Sequence, residues 1–243
     1  MYRMETEIPF SRSGADGKLK LYEAVAMMMD CCQFQEYQEV KFCRYLRENN
    51  IAVFLFSMQL DILRMPRFRE KVTSAVKIYG CKAIYGLRRM TMRDESGSLC
   101  LISNATGAFF DLKAGRAVKL ENAEELVHYD EAEVMECLPR KIPIPASGGE
   151  EFPACTVHLS ALDSNGHLSS PEYFAIAGDV LPENFTYNRV RVEYKQQLKL
   201  GEAVIPVRFQ LESGGKIIVE MKNAAGTSCA AAEFSTADVG GDR

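Results

Sequence analysis

The segment Asp16-Gly17-Lys18-Leu19 to Asp30 lies over Asn165-Gly166-His167-Leu168 to Asp179 at a constant offset of 149, and this internal repeat constrains the fold more than any other feature. Gly17 meets Gly166, Leu19 meets Leu168, Glu23 meets Glu172, Ala26 meets Ala175 and Asp30 meets Asp179. Further along, Asp61 and Arg69-Glu70-Lys71-Val72 align with Glu193 and Gly201-Glu202-Ala203-Val204 at an offset of 132, which implies a 17-residue insertion after the first helix of the first copy. A chain of 243 residues admits one large domain or two of about 120. The repeat selects two.

Each half opens with a short apolar strand (Glu7 to Phe10; Cys155 to Leu159), then a Gly-containing turn and a helical stretch. Four strand-like runs follow, rich in β-branched and aromatic residues. They span Ala52 to Leu63, Val72 to Tyr79, Tyr85 to Arg93 and Leu99 to Asp111 in the first half. In the second they span Arg189 to Leu200, Ala203 to Leu211, Lys216 to Lys222 and Ser228 to Phe234. Asp94-Glu95-Ser96-Gly97 and Ser213-Gly214-Gly215 read as hairpin turns. A helix followed by an antiparallel meander is an α+β layout, in which the sheet must cover its apolar face with the one helix available. Glu121 to Glu136 holds seven acids and no Lys or Arg, and Pro139 to Pro153 carries four prolines. These read as a short acidic helix and an extended linker. The expected domains are 1–147 and 148–243.

Composition excludes several classes. A net charge of −4 argues against a protein that coats nucleic acid. The eight cysteines show no C-x-x-C and no zinc-ligand spacing, so they are expected to be reduced, mostly buried thiols, with no metal and no cofactor. The acidic start and the lack of an apolar run of about 18 residues set the expectation of a cytoplasmic protein without a membrane segment.

Chemistry concentrates in Leu162-Asp163-Ser164-Asn165-Gly166-His167-Leu168-Ser169-Ser170-Pro171-Glu172-Tyr173. A carboxylate, a carboxamide and an imidazole fall within five residues, just before a helix that Ser169 or Ser170 can cap and Pro171 can start. A helix N-terminus favours developing negative charge, and Glu172 can close a capping box there. In the first copy Asp16 and Lys18 hold the positions of Asn165 and His167, so one copy can be a site while the other is scaffold. Asp, Asn, Gly and Ser are also the ordinary vocabulary of turns.

The motif Asp163-x-Asn165-x-His167, followed by a helix beginning with a Tyr-containing turn and then by Val192-Glu193-Tyr194-Lys195-Gln196-Gln197, resembles the acyl-acyl-carrier-protein thioesterases. In the first half Asp61-Ile62-Leu63-Arg64-Met65-Pro66-Arg67-Phe68 resembles the family's strand ending in Arg-x-Pro-x-aromatic, and Arg93 to Gly97 its hairpin. Leu138-Pro139-Arg140-Lys141-Ile142 resembles the segment that joins the halves. The resemblance runs from about residue 4 to 236 and implies two tandem hotdog domains, each a curved antiparallel sheet wrapped around a central helix. It implies hydrolysis of the thioester of a fatty acyl chain carried on the phosphopantetheine of acyl carrier protein, by a monomer or homodimer. Asn165 and His167 would belong to the catalytic machinery and Asp163 would position them.

Two departures stand out. Gln197 occupies the position of a Glu implicated in water activation, with Leu198 at the neighbouring Cys position, and Ser169-Ser170 replaces a pair of Asn. A carboxamide is not a general base. Either His167 or Asp163 takes that role, or Glu193 or Glu202 supplies a carboxylate by a shift in register, or hydrolysis is slow. The rivals are an acyl-coenzyme A thioesterase, a tandem-hotdog dehydratase and a non-catalytic acyl-thioester sensor.

Three further features carry weaker expectations. The Met27-Met28-Met29 run, with Ala24, Val25 and Cys31, reads as core that can also line an acyl tunnel. Nine Lys or Arg against four acids between 61 and 95 read as solvated strand faces or as a docking face for an acidic carrier. His128 and His158 have no chemical neighbours and read as ordinary histidines.

Overall fold

The computed structural model describes residues 1–211 and 215–238. The chain divides into two compact units, Met1–Cys137 and a second beginning at Leu138.

In the first unit β1 (Tyr2–Glu7) and a 3-10 turn (Phe10–Arg12) lead to α1 (Leu21–Gln38) and α2 (Val40–Glu48). The strands β2 (Ile51–Ile62), β3 (Lys71–Lys82), β4 (Tyr85–Asp94), β5 (Leu99–Asp111) and β6 (Arg116–Ala117) follow, then α3 (Ala123–Leu126). The sheet order is β1-β3-β4-β5-β2, with β6 beside β5, and every pairing is antiparallel. Alternation along β3, which buries Val72, Ser74, Val76 and Ile78, gives the sheet one apolar face. α1 covers that face with Ala24, Val25, Met27, Met28, Cys31 and Cys32, all buried. Cys31 Sγ lies 3.6 Å from the Ser74 carbonyl and Cys32 Sγ 3.1 Å from Met90 Sδ. Met27 and Met28 are therefore core.

The second unit contains β7 (Glu150–Glu151), β8 (Cys155–Thr156), a 3-10 turn (Leu159–Ala161) and α4 (Ser170–Asp179). It continues with β9 (Arg189–Tyr194), β10 (Ala203–Gln210), β11 (Lys216–Lys222) and β12 (Ser228–Ser235). Its sheet order is β9-β12-β11-β10-β7, again antiparallel, with β8 on β10. The strand expected to reach Leu200 stops at Tyr194, because Lys195 and Gln196 both turn their N–H groups onto the Cys229 carbonyl. The strand expected from Cys155 to Leu159 is only two residues long. In the hairpin expected at Ser213-Gly214-Gly215, Ser213 and Gly214 lie outside the described residues.

The repeat extends to individual hydrogen bonds. Ile8 exchanges N–H and C=O with Glu70 and Arg69 as Val157 does with Glu202 and Gly201. Leu63 and Arg64 donate to the Cys100 carbonyl as Lys195 and Gln196 do to that of Cys229. The insertion in the first copy is the last two turns of α1 together with α2, whose Phe42 and Leu46 form a small core with Phe109, Leu120 and Ala123.

The inter-repeat segment is not a free linker. The expected acidic helix is only the four residues of α3. Beyond it Glu133 pairs with Lys77 at 2.9 Å and the Glu136 carbonyl accepts from Gln59 at 2.8 Å. Residues 138–147 go with the second unit, ten residues before the boundary drawn at 148. Prolines keep this stretch out of helix and ladder, so side chains satisfy its backbone instead. Arg191 donates to the Pro139 carbonyl at 2.7 Å, Glu193 accepts the Ile142 N–H at 3.0 Å, and Ile142 packs on Val207, Phe209, Ile218 and Ala231. No helix among the described residues is long and apolar enough to cross a membrane.

Candidate active site

The Asp163–His167 turn is built by its own side chains. Asp163 Oδ1 accepts the N–H groups of Asn165 at 2.8 Å and His167 at 3.1 Å. The Asp163 N–H returns a bond to the His167 carbonyl at 2.8 Å. Gly166 sits at φ +76, a conformation that costs a residue with a Cβ about 1–2 kcal/mol. Leu162 and Leu168 bridge across the base of the turn, and Leu168 anchors it in the core. Asn165 is exposed and His167 half-buried; among the described residues neither side chain has a hydrogen-bond partner.

The first copy closes the same way. Gly17 has φ +73, Asp16 Oδ1 accepts from the Lys18 N–H at 3.0 Å and Gly14 donates to the Lys18 carbonyl at 2.7 Å. The Lys18 N–H holds the Asp16 carboxyl below its ordinary range. The backbone is duplicated, while the imidazole and carboxamide belong to the second copy alone.

Gln197 lies in the β9–β10 loop rather than on a strand. Leu168 donates to the Leu198 carbonyl at 2.8 Å, and His167 pairs with Lys199 in an antiparallel bridge, so the exposed Gln197 is one residue from the contact. Glu202 is occupied in this loop, accepting the Lys199 N–H at 2.5 Å. Glu193 is turned away: its neighbour Tyr194 faces α4, where its ring meets Tyr173 edge to face at 5.2 Å. Glu193 itself accepts from Ile142 and stands 3.9 Å from Arg140.

Behind the turn, α4 begins at Ser170 with Ser169 at the N-cap and Pro171 in the first turn. The expected serine cap is not formed, since Ser169 makes no side-chain capping bond. Ser170 instead accepts the Tyr194 hydroxyl at its carbonyl, at 3.2 Å. Tyr173 is the tyrosine of the turn that opens α4. It is 4% exposed, its phenol is pushed up mainly by burial, and it reaches the backbone of Leu198. Ala24 occupies the corresponding place in the first copy.

The first 127 residues match the N-terminal domain of acyl-ACP thioesterases. The chain belongs to the acyl-ACP thioesterase family. By sequence it matches no curated protein. Its fold is similar to that of an acyl-ACP thioesterase of Bacteroides thetaiotaomicron, with a TM-score of 0.85 and 15% identity over 96% of both chains. It is similar also to the 12:0-ACP thioesterase of Umbellularia californica, with a TM-score of 0.85 and 12% identity over 96% of both chains. As an acyl-ACP thioesterase the chain is a thioester hydrolase acting on fatty acyl-ACP.

For an acyl-ACP thioesterase the basic stretch from 61 to 95 invites a docking role, but most of its cations are engaged. Arg64 pairs with Glu70 and Asp94, Lys77 with Glu133, Arg88 with Glu36, Lys71 with Glu95 and Arg69 with Glu7. Arg89 is buried over the Tyr79 ring. Glu70, Asp94 and Cys100 converge within 4.8 Å, the geometry of a cation site, yet the Arg64 guanidinium already neutralises both carboxylates. Burial also pushes the Cys100 thiol up to about 11, which keeps it protonated at neutral pH.

Proposed function

We propose that hydrolysis is carried by the Asp163–His167 turn together with Gln197, in a tandem pair of hotdog domains working in the cytoplasm. The observation that carries the reading is the turn's geometry: Asp163 is spent on backbone N–H groups, leaving the Asn165 carboxamide and His167 imidazole to meet the substrate. A water oxygen attacks the thioester carbonyl carbon while His167 takes its proton. Asn165 donates to the oxyanion, aided by the positive end of α4. Collapse expels the phosphopantetheine thiolate, which takes the proton from the imidazolium and leaves free fatty acid. Gln197 orients the water without accepting its proton. No metal or cofactor enters the step.

Purified protein should release free fatty acid from acyl-ACP of at least one chain length. His167→Ala should lower kcat by about 10²–10⁴-fold with KM changed little. An unchanged rate in that variant, or no free acid from any chain length, would remove the assignment.

Gln197 also supports a second reading, a protein that binds the acyl thioester without turning it over. That version requires stoichiometric retention of acyl-ACP in a calorimetric titration beside a silent hydrolysis assay. Parallel rates on acyl-coenzyme A and acyl-ACP separate the two thioester substrates.

A further inference from the structure

The duplicated turn of the first unit carries neither an imidazole nor a carboxamide, yet it is flanked by a rim with its own character. Phe10 is 80% exposed and Phe68 45%, and their rings meet edge to face at 5.9 Å. Backbone bonds hold them beside the turn: Phe68 donates to the Gly17 carbonyl at 3.0 Å and Arg69 to that of Ile8 at 2.9 Å, while Lys18 bridges Arg67. Lys20 reaches the Ser11 carbonyl at 3.2 Å, next in the chain to Phe10. Lys18, Lys20, Arg67 and Arg69 lie on the same segments as the two phenyl groups; Lys18 and Arg69 are ion-paired, while Lys20 and Arg67 make no ion pair among the described residues. The acids beside them are Asp16, 3.4 Å from Lys18, Glu7, 3.8 Å from Arg69, and Glu70, which accepts the Arg67 N–H at 2.9 Å and is paired with Arg64.

Two adjacent rings left in water are costly unless a partner covers them. The second copy places Leu159 and Leu200 at the corresponding positions, also exposed. Exposed apolar residues there belong to the repeat, and the aromatic version, with Lys20 and Arg67 on the same segments, is confined to the copy whose turn lacks the imidazole and carboxamide.

We propose that the Phe10, Phe68, Arg67 and Lys20 rim is the surface on which the acyl carrier protein docks. The proposal rests on the assignment of the chain as an acyl-ACP thioesterase and names where its protein substrate binds. A carrier protein is acidic, and charge complementarity favours it here: the cations steer the approach and the phenyl pair supplies the buried anchor. The docking face expected across 61–95 contracts to Arg67 and Phe68, joined by residues from the first turn.

The test compares Phe10→Ser, Phe68→Ser and Arg67→Glu with Leu159→Ser. Titration with holo-acyl carrier protein is measured beside hydrolysis of acyl-ACP and of an acyl-N-acetylcysteamine thioester, which has no carrier. The three first-unit variants should raise Kd for the carrier and KM for acyl-ACP about tenfold or more. Hydrolysis of the small thioester should stay within about twofold, Leu159→Ser should bind normally, and Arg67→Glu should flatten the salt dependence. Unchanged carrier affinity in the three variants, an equal loss on the small thioester, or a loss confined to Leu159→Ser would overturn the proposal. If the wild type binds the carrier but cleaves nothing, docking stands and the catalytic assignment fails. If it cleaves the small thioester without binding the carrier, the reverse holds.

Discussion

Leu168 donates its backbone N–H to the carbonyl of Leu198 at 2.8 Å, so the turn carrying Asn165 and His167 is bonded directly to the loop carrying Gln197. That bond gives Gln197 a fixed neighbour although 30 residues separate it from His167 in the chain. Gln197→Glu should raise kcat several-fold, because a carboxylate there shares proton abstraction with the imidazole. Gln197→Ala should lower kcat about tenfold. Steady-state rates on acyl-ACP decide, and a fall in Gln197→Glu would mean that the carboxamide is needed as a donor.

Asp163 shapes the turn through two accepted N–H bonds. Asp163→Asn keeps an acceptor oxygen and should retain most of the activity. Asp163→Ala strands both N–H groups and should cost about 1–3 kcal/mol in stability, with a large loss of kcat. Equal, severe losses in both variants would instead make the carboxylate itself chemical, as a base. Thermal melts read beside the kinetics separate the two.

Glu193 is committed to the segment from Pro139 to Ile142 and faces away from α4. Glu193→Gln should leave kcat within about twofold, and an activity loss of orders of magnitude would return it to the list of bases. Its neighbour Arg191 is paired with Glu233, 1% exposed, at 2.9 Å. Arg191→Met leaves that carboxylate without its principal partner and should cost about 3–5 kcal/mol in urea unfolding. The double change with Glu233→Leu should recover much of it.

Acid sensitivity should centre on Arg64. The Ser96 hydroxyl first and Arg64 second hold the Asp94 carboxyl down at about 2, and Arg64 holds Glu70 below its usual range. Both carboxyls are depressed in the folded state. Their contribution is therefore complete above the ordinary values of 3.8 and 4.5 and is lost as pH falls toward about 2. Arg64→Ala should move acid unfolding to higher pH, and carboxyl resonances followed by NMR should show Asp94 and Glu70 titrating later on the way down in the wild type than in the variant.

Local patterns proved readable. Strand β5 runs from Leu99 to Asp111 as alternation and residue type indicated, and β2 and β4 end within one residue of expectation. The turn was readable for the same reason: Asx bonding and the positive φ of Gly166 act between residues no more than four apart. The repeat was visible at offsets of 149 and 132, but the hairpins of the two copies, Asp94 with Gly97 and Asn223 with Gly226, align at 129, an offset too sparsely marked in residue identities to see.

The sequence by itself determined two similar α+β units, the composition of the Asp163–His167 turn and the family. Tertiary structure alone decided that Glu193 faces away from the turn, that Gln197 lies in a loop beside it, that residues 138–147 join the second unit, and that most cations between 61 and 95 are neutralised. Strand side chains alternate with a period of two, so ending β9 at Tyr194 rather than Leu200 changes what every later residue faces. Ion pairs such as Lys77 with Glu133 and Arg88 with Glu36 join residues more than 50 apart, and such partners are chosen by packing, which no local pattern records.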